Sequence, residues 1–179
     1  MRFERHALSG LFGLLALLAL LPLAPVARAD DVSEYRLKAA FMYNFALFTE
    51  WPLEVGALLN VCIHGPDPFG KDIDELQGKA VGGRSLAVQR KAVGESLGSC
   101  QVVYIAPQAI VNLPRVLDGV RGRPVLTVAD SSGAVRQGVM LNMAVAQNRI
   151  AFEANLVAAR AAGLHLSSKL LRLATEVQQ

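Results

Sequence analysis

Few residues of this chain have the type and spacing that chemistry requires. The three histidines, His6, His64 and His165, stand far apart, and no His-x-His pair, His-Glu-x-x-His helix or Cys/His cluster occurs. The ligand spacing of a zinc site is therefore missing. The serines, among them Ser85, Ser96, Ser131, Ser132, Ser167 and Ser168, include no Gly-x-Ser-x-Gly elbow, which leaves a triad hydrolase unsupported. The glycine-rich stretch GKAVGGR at 78–84 has the order of neither a Walker A loop nor Gly-x-Gly-x-x-Gly, and a turn needs such glycines anyway. No catalytic residue, metal or cofactor is expected, and an enzyme would need a convergent acid, base or nucleophile group that these residues do not supply.

What remains is a small set of polar residues at strand ends. His64 closes an apolar run and leads into Gly65-Pro66-Asp67, while Asp67 and Asp130 each follow a stretch that reads as a strand. In α/β folds ligand-facing residues sit at such ends, so His64, Asp67 and Asp130 are candidates for ligand binding. The plainer alternative is that the two acids cap the next turn or helix and that His64 is an ordinary surface residue. Glu153 lies in IAFEANL. If Phe152 faces the core, Glu153 faces the other side of the sheet. There it would form a polar recognition patch with Asn142, Arg149 and Asn155, or simply be solvated.

Cys62 and Cys100 are the only cysteines. One structural disulfide is the default reading in an oxidising compartment. Closing a loop of about 39 residues would destabilise the unfolded chain by roughly 4 kcal/mol in the chain-entropy model. The compartment follows from the N-terminus, where Arg2, Arg5 and His6 precede an apolar run from Leu8 to Leu23 and the small-x-small site Ala27-Arg28-Ala29. That is the pattern of a secretory signal peptide, residues 1–29, cleaved before Asp30. An uncleaved anchor is the alternative, because the run approaches the ~17 to 25 residues that span a bilayer. Pro22, Pro25 and the cleavage site favour removal, which leaves no stable membrane insertion.

The chain carries 18 basic and 15 acidic residues, and the sequence pI is 9.1. Cleavage removes three arginines and one glutamate, leaving 15 basic and 14 acidic residues. With no dense basic cluster, no nucleic-acid partner is expected. The remaining 30–179 form one domain, large enough for a proper core.

The elements that must position these residues can be read from periodicity. A helix is predicted from Val32 to about Glu50, ended by Trp51-Pro52, with one stripe of Leu37, Phe41, Asn44/Phe45 and Phe48. A second stripe of Tyr35, Ala39, Met42/Tyr43 and Leu47 lies beside it, so burial on two sides is expected, against the sheet and against a helix or a partner. Strands are predicted at Leu58 to His64, Ser85 to Gln89, Cys100 to Ala106 and Pro124 to Ala129. A hairpin of Val139 to Val145 and Arg149 to Glu153 follows, turning at 146–148. Helices are predicted at Phe69 to Leu76, at Pro107 to Val120 with an irregularity at Pro114, from Asn155 to Gly163, and from Ser167 to Val177 with Leu170, Leu171 and Ala174 inward. The alternation predicts an α/β domain with a mixed, mostly parallel sheet and helices packed on its faces. Neighbouring strands would bring Cys62 and Cys100 within disulfide reach.

Taken in order, Tyr35, Lys38-Ala39-Ala40-Phe41, Tyr43-Asn44-Phe45, Phe48, Trp51-Pro52, Cys62-Ile63, Gly65 and Asp67-Pro68-Phe69 resemble the opening of the YfiR/HmsC family of periplasmic proteins. The likeness continues through Gly83-Arg84, Cys100, Leu126 to Asp130, Ile150, Phe152-Glu153, Asn155, Gly163-Leu164 and Ser168 to Leu171, over essentially all of 30–179. The resemblance implies a repressor that binds the periplasmic part of a membrane-bound diguanylate cyclase and holds it inactive, limiting cyclic di-GMP and biofilm formation. It maps the family's disulfide onto Cys62 and Cys100. The second, C-terminal cysteine pair of some relatives has no counterpart here, so redox control through that pair is not implied. The expected partner surface is the late hairpin and C-terminal region, through Leu141, Arg149, Phe152, Glu153 and Asn155. A homodimer is a further arrangement for the apolar first helix. The rival reading is a periplasmic small-ligand-binding or sensing module that acts on another membrane sensor.

Overall fold

The first helix starts and stops on side-chain caps. In the computed structural model, which describes residues 33–146 and 149–179, α1 spans Glu34–Leu47, and the Ser33 hydroxyl accepts from the Arg36 N–H at 3.1 Å. At the other end the Thr49 hydroxyl donates to the Phe45 carbonyl at 2.7 Å and the Trp51 indole to the Ala46 carbonyl at 3.0 Å. These bonds satisfy carbonyls that the last turn leaves free. The buried stripe is Lys38, Ala39, Met42, Phe45 and Ala46, drawn from between the two expected stripes. Leu37 and Leu47 are exposed. The expected signal peptide, the helix start at Val32 and the hairpin tip at 147–148 lie outside the described residues.

After a short β1 (Thr49–Glu50), β2 spans Leu58–His64, as its apolar run predicts. It lies between β4 (Arg84–Lys91) and β5 (Val102–Ile105), parallel to both. A strand paired on both edges and covered on both faces reads as a continuous hydrophobic run, and Val61 to His64 are all buried. β6 (Leu126–Ala129) and β7 (Leu141–Ala146) extend the parallel set, and β8 (Arg149–Asn155) returns antiparallel to β7. Before β4, the two residues of β3 (Ala80–Val81) form an unforeseen hairpin. It turns at Gly82 and Gly83, whose φ values of 51° and 82° lie in the left-handed region that two-residue hairpins require.

Three expected helices are shorter than their periodicity predicts. The helix after β2, α2, covers only Lys71–Asp74. The N–H groups of Leu76 and Gln77 reach back three residues, which tightens the last turn instead of propagating it. Pro107–Asn112 is a 3-10 turn that feeds α3 (Leu113–Val120). Pro114 therefore sits in the first turn of α3, where a missing N–H is harmless. α4 covers Leu156–Ala161, and β9 (His165–Leu166) pairs with β1.

The last expected helix is the clearest departure. α5 covers only Ser168–Leu171, and Glu176–Gln178 form β10, parallel to β8 at the sheet edge. Here the Thr175 N–H and hydroxyl both bond the Phe152 carbonyl, at 2.9 and 3.0 Å. The edge of β8 presents unpaired backbone groups, and the chain pairs with them over Glu176–Gln178. Within the eight-stranded sheet the order is β10-β8-β7-β6-β5-β2-β4-β3, mixed and mostly parallel.

Alternation along the strands divides the core. Ile63, Tyr104 and Val128 share one face by register, which α1 covers. Phe45 meets Phe152 edge to face at 5.1 Å, and Phe69 meets Tyr104 at 4.7 Å. Burying each such aromatic contributes about 1.5–3 kcal/mol. Cys62, His64 and Thr127 point to the other face, which α3 and α4 cover. The Cys62–Cys100 disulfide lies there with a Cα–Cα distance of 5.9 Å.

Candidate functional site

Beneath α1, at the carboxyl end of β6, sits a buried cluster of charge. Lys38 and Asp130 have side chains 5% and 2% exposed, with Nζ 2.6 Å from Oδ2. Glu34, one turn earlier on α1, supplies a second carboxylate oxygen at 2.5 Å from the same nitrogen. Nζ also lies 4.6 Å from the Tyr35 ring centre. Burial disfavours the charged lysine, but its hydrogen bonds to Asp130 and Glu34 outweigh that and raise its pKa. Lys38 thus stays protonated, and one charged residue inside an otherwise apolar stripe ties α1 to the sheet.

Two tyrosines close the cluster. The Tyr35 hydroxyl donates to Asp130 Oδ2 over a long 3.4 Å. The Tyr104 hydroxyl and Asp130 Oδ1 are both buried without a hydrogen-bond partner. Burial, and then the nearby Asp130 charge, push both tyrosines above the ordinary phenol range. A permanently charged lysine and neutral phenols do not exchange protons near neutrality, so the arrangement holds an ion pair in place. Sequence reasoning missed Lys38, although its signal was present. Glu34 and Lys38 are spaced i,i+4, and Lys38 shares a stripe with Ala39, Met42 and Phe45.

The three candidate ligand residues are not brought together. Asp130 faces α1, whereas His64 points to the opposite face. Asp67 acts as a turn cap, with Oδ1 accepting from the N–H groups of Phe69 and Gly70 at 2.7 and 3.3 Å. Its Oδ2 pairs with Arg90 at 2.8 Å, and Arg90 also holds Asp74. His64 is 3% exposed rather than a surface histidine, and its Nδ1 has no hydrogen-bond partner. Burial lowers its pKa, against a smaller opposing effect of Glu95.

The expected partner surface divides in a similar way. Leu141, Phe152 and Asn155 are buried. The first two are core residues of the hairpin. Asn155 caps α4, its Oδ1 accepting from the Ala158 N–H at 2.8 Å and its Nδ2 donating to the Val135 carbonyl at 3.1 Å. Their burial follows from the inward side of each strand and from the cap. Arg149 is exposed and Glu153 half-buried. Glu153 accepts from Asn142 Nδ2 at 3.3 Å, and Asn142 Oδ1 accepts from the Ser131 N–H. The polar patch expected around Glu153 thus contains Asn142 but not Asn155. Among the described residues no group of three or more His, Cys, Asp and Glu is placed to hold a metal ion, and no helix is long and apolar enough to cross a membrane.

Compared with known families, residues 35–175 match a family model described as YfiR/HmsC-like.

Proposed function

This chain belongs to the YfiR/HmsC-like family, and from that premise we propose that it is a periplasmic regulator that binds the periplasmic part of a membrane-bound diguanylate cyclase, holds it inactive, and so limits cyclic di-GMP and biofilm formation. The observation that carries this reading is the extent of the match. It runs from the second residue of α1 to the residue before β10. The family is regulatory rather than catalytic, known for periplasmic control of diguanylate cyclases. The Cys62–Cys100 bridge agrees with an oxidising compartment.

Repression needs no reaction. A protein that binds the inactive receptor more tightly than the active one shifts the population by its differential affinity, and a near-complete switch needs about 5.5 kcal/mol. The contact surface assigned to this task is the outer part of the β7–β8 hairpin. Arg149 and the half-buried Glu153 lie there on one face by register and exposed Val145 on the other, with Leu141, Phe152 and Asn155 as the buried supports of the hairpin. A second copy of the chain is the competing occupant of exposed apolar surface, and sedimentation of the purified protein measures it.

The test is cyclic di-GMP in cells lacking the gene, complemented with the wild type or with Arg149→Glu. Deletion should raise the nucleotide and the wild type restore it, while the variant, folded by circular dichroism, should not. An unchanged level on deletion defeats the regulator reading; full complementation by Arg149→Glu defeats only the surface.

A further inference from the structure

On the sheet face away from α1 lies a cavity of about 230 Å³, lined in part by His64, Glu95, Ser96, Asn112, Arg115 and Arg123. We infer that it is a binding site for a small organic monocarboxylate that also carries a hydroxyl group, with Arg115 at the rim taking the carboxylate and His64 at the floor meeting the hydroxyl.

Three independent observations meet at His64. It is 3% exposed and neither ring nitrogen has a hydrogen-bond partner among the described residues; Nδ1 is sealed off from solvent, so the nitrogen available to a ligand is Nε2, which in a neutral imidazole donates or accepts one bond. It is the last residue of β2 and lines the cavity. Finally, β2 lies where the strand order reverses. The parallel strands run β4-β2-β5-β6-β7, so the chain first moves to one side of β2 and then crosses to the other. Open α/β sheets bind ligands at the carboxyl ends of the strands at such a point.

The state of the other side chains selects the ligand. Arg123 is committed to the carbonyls of Leu97, Gly98 and Gly119. Glu95 accepts from the Ala92 N–H and Ser96 from the Gly98 N–H. Arg115 and Asn112 make no side-chain hydrogen bond among the described residues, so their donors are free. A free guanidinium fork matches a carboxylate in two-point geometry. Two arginines, one glutamate and a histidine that burial keeps neutral give a lining near +1, which balances a monoanion better than a doubly charged phosphate. An apolar cavity of about 150 Å³ accommodates benzene, so the larger volume here suits a ligand of roughly nine heavy atoms. The wall at 93–98 runs into Cys100, which the disulfide ties to β2 two residues from His64.

The test is thermal unfolding of the purified protein, and histidine proton NMR, with lactate, 4-hydroxybenzoate or inorganic phosphate. At tenfold its Kd, a hydroxycarboxylate should raise Tm by about 3–5 °C and move one imidazole resonance, and phosphate should do neither. Arg115 is exposed, so Arg115→Ala should keep the ligand-free Tm and bind at least about tenfold more weakly. The assignment is overturned if neither carboxylate has an effect, if phosphate matches them, or if Arg115→Ala binds like the wild type. The outcome is independent of cyclic di-GMP, so it stands apart from the regulator reading.

Discussion

Replacing Lys38 with methionine keeps the length of the side chain and removes a cation that two carboxylates share. Their fates then differ. Glu34, with its side chain 47% exposed, can return to water, but Asp130, 2% exposed, cannot. Asp130 keeps the Tyr35 hydroxyl at 3.4 Å, too long for a strong bond, and the neighbouring neutral Tyr104 hydroxyl, and neither replaces the lost cation. Stranding a buried charge costs about 3–5 kcal/mol, and at about 2–4 °C per kcal/mol for a domain of this size Tm should fall by roughly 6–20 °C. Asp130→Asn should cost less, about 1–3 kcal/mol, because Lys38 retains Glu34 at 2.5 Å. The double variant, with both buried charges gone, should recover at least half of the Lys38→Met loss. Urea titration at pH 7 followed by circular dichroism measures all three, provided the m-values agree. Two results refute this reasoning: a Lys38→Met variant within about 1 kcal/mol of the wild type, or an Asp130→Asn variant that is the less stable of the two.

Three further outcomes follow from the same geometry. The Cys62→Ser/Cys100→Ser double variant should lose about 3–4 kcal/mol in urea unfolding, because the bridge spans a separation of 38 residues; equal stability would mean that the crosslink does not constrain the unfolded chain. Gly65→Ala should cost about 2 kcal/mol or more, since Gly65 has φ 96° and an added Cβ would lie 2.6 Å from the Ala109 Cβ. A Tm within a degree of the wild type contradicts it. The pKa of His64 is lowered in the folded state, so the unfolded chain binds the proton first. Stability should therefore decline as pH falls through the unfolded value near 6.5 toward the lower folded value, and be unaffected by this residue above it. A His64→Gln variant should lack that decline, and parallel stability profiles for the two proteins would exclude His64 as its source.

Much of the strand framework was legible because β2 and β6 are short apolar runs with turn signals at both ends. Their ends at His64 and Asp130 follow from the residues alone. The disulfide was legible for a simpler reason, since the sequence holds two cysteines and each has only the other to pair with. Helix lengths were not legible. Leu170, Leu171 and Ala174 keep helical spacing, yet the chain leaves the helix after Leu171 because the free edge of β8 offers backbone partners, and no local pattern reports an open edge elsewhere in the fold.

The polar residues show the same division. Sequence placed His64, Asp67 and Asp130 at the carboxyl ends of strands, which was correct. It could not say that alternation across the sheet sends His64 and Asp130 to opposite faces, because that depends on the face each strand end presents once the sheet is assembled. Nor could it separate Arg149, which reaches solvent, from Phe152, which packs on Phe45, until α1 had chosen its face. By itself the sequence determined the family, the order of most elements and the cysteine pair, all properties of nearest neighbours and composition. Tertiary structure alone decided which polar groups share an enclosure, because burial and charge pairing depend on distances between residues as far apart in the chain as Lys38 and Asp130.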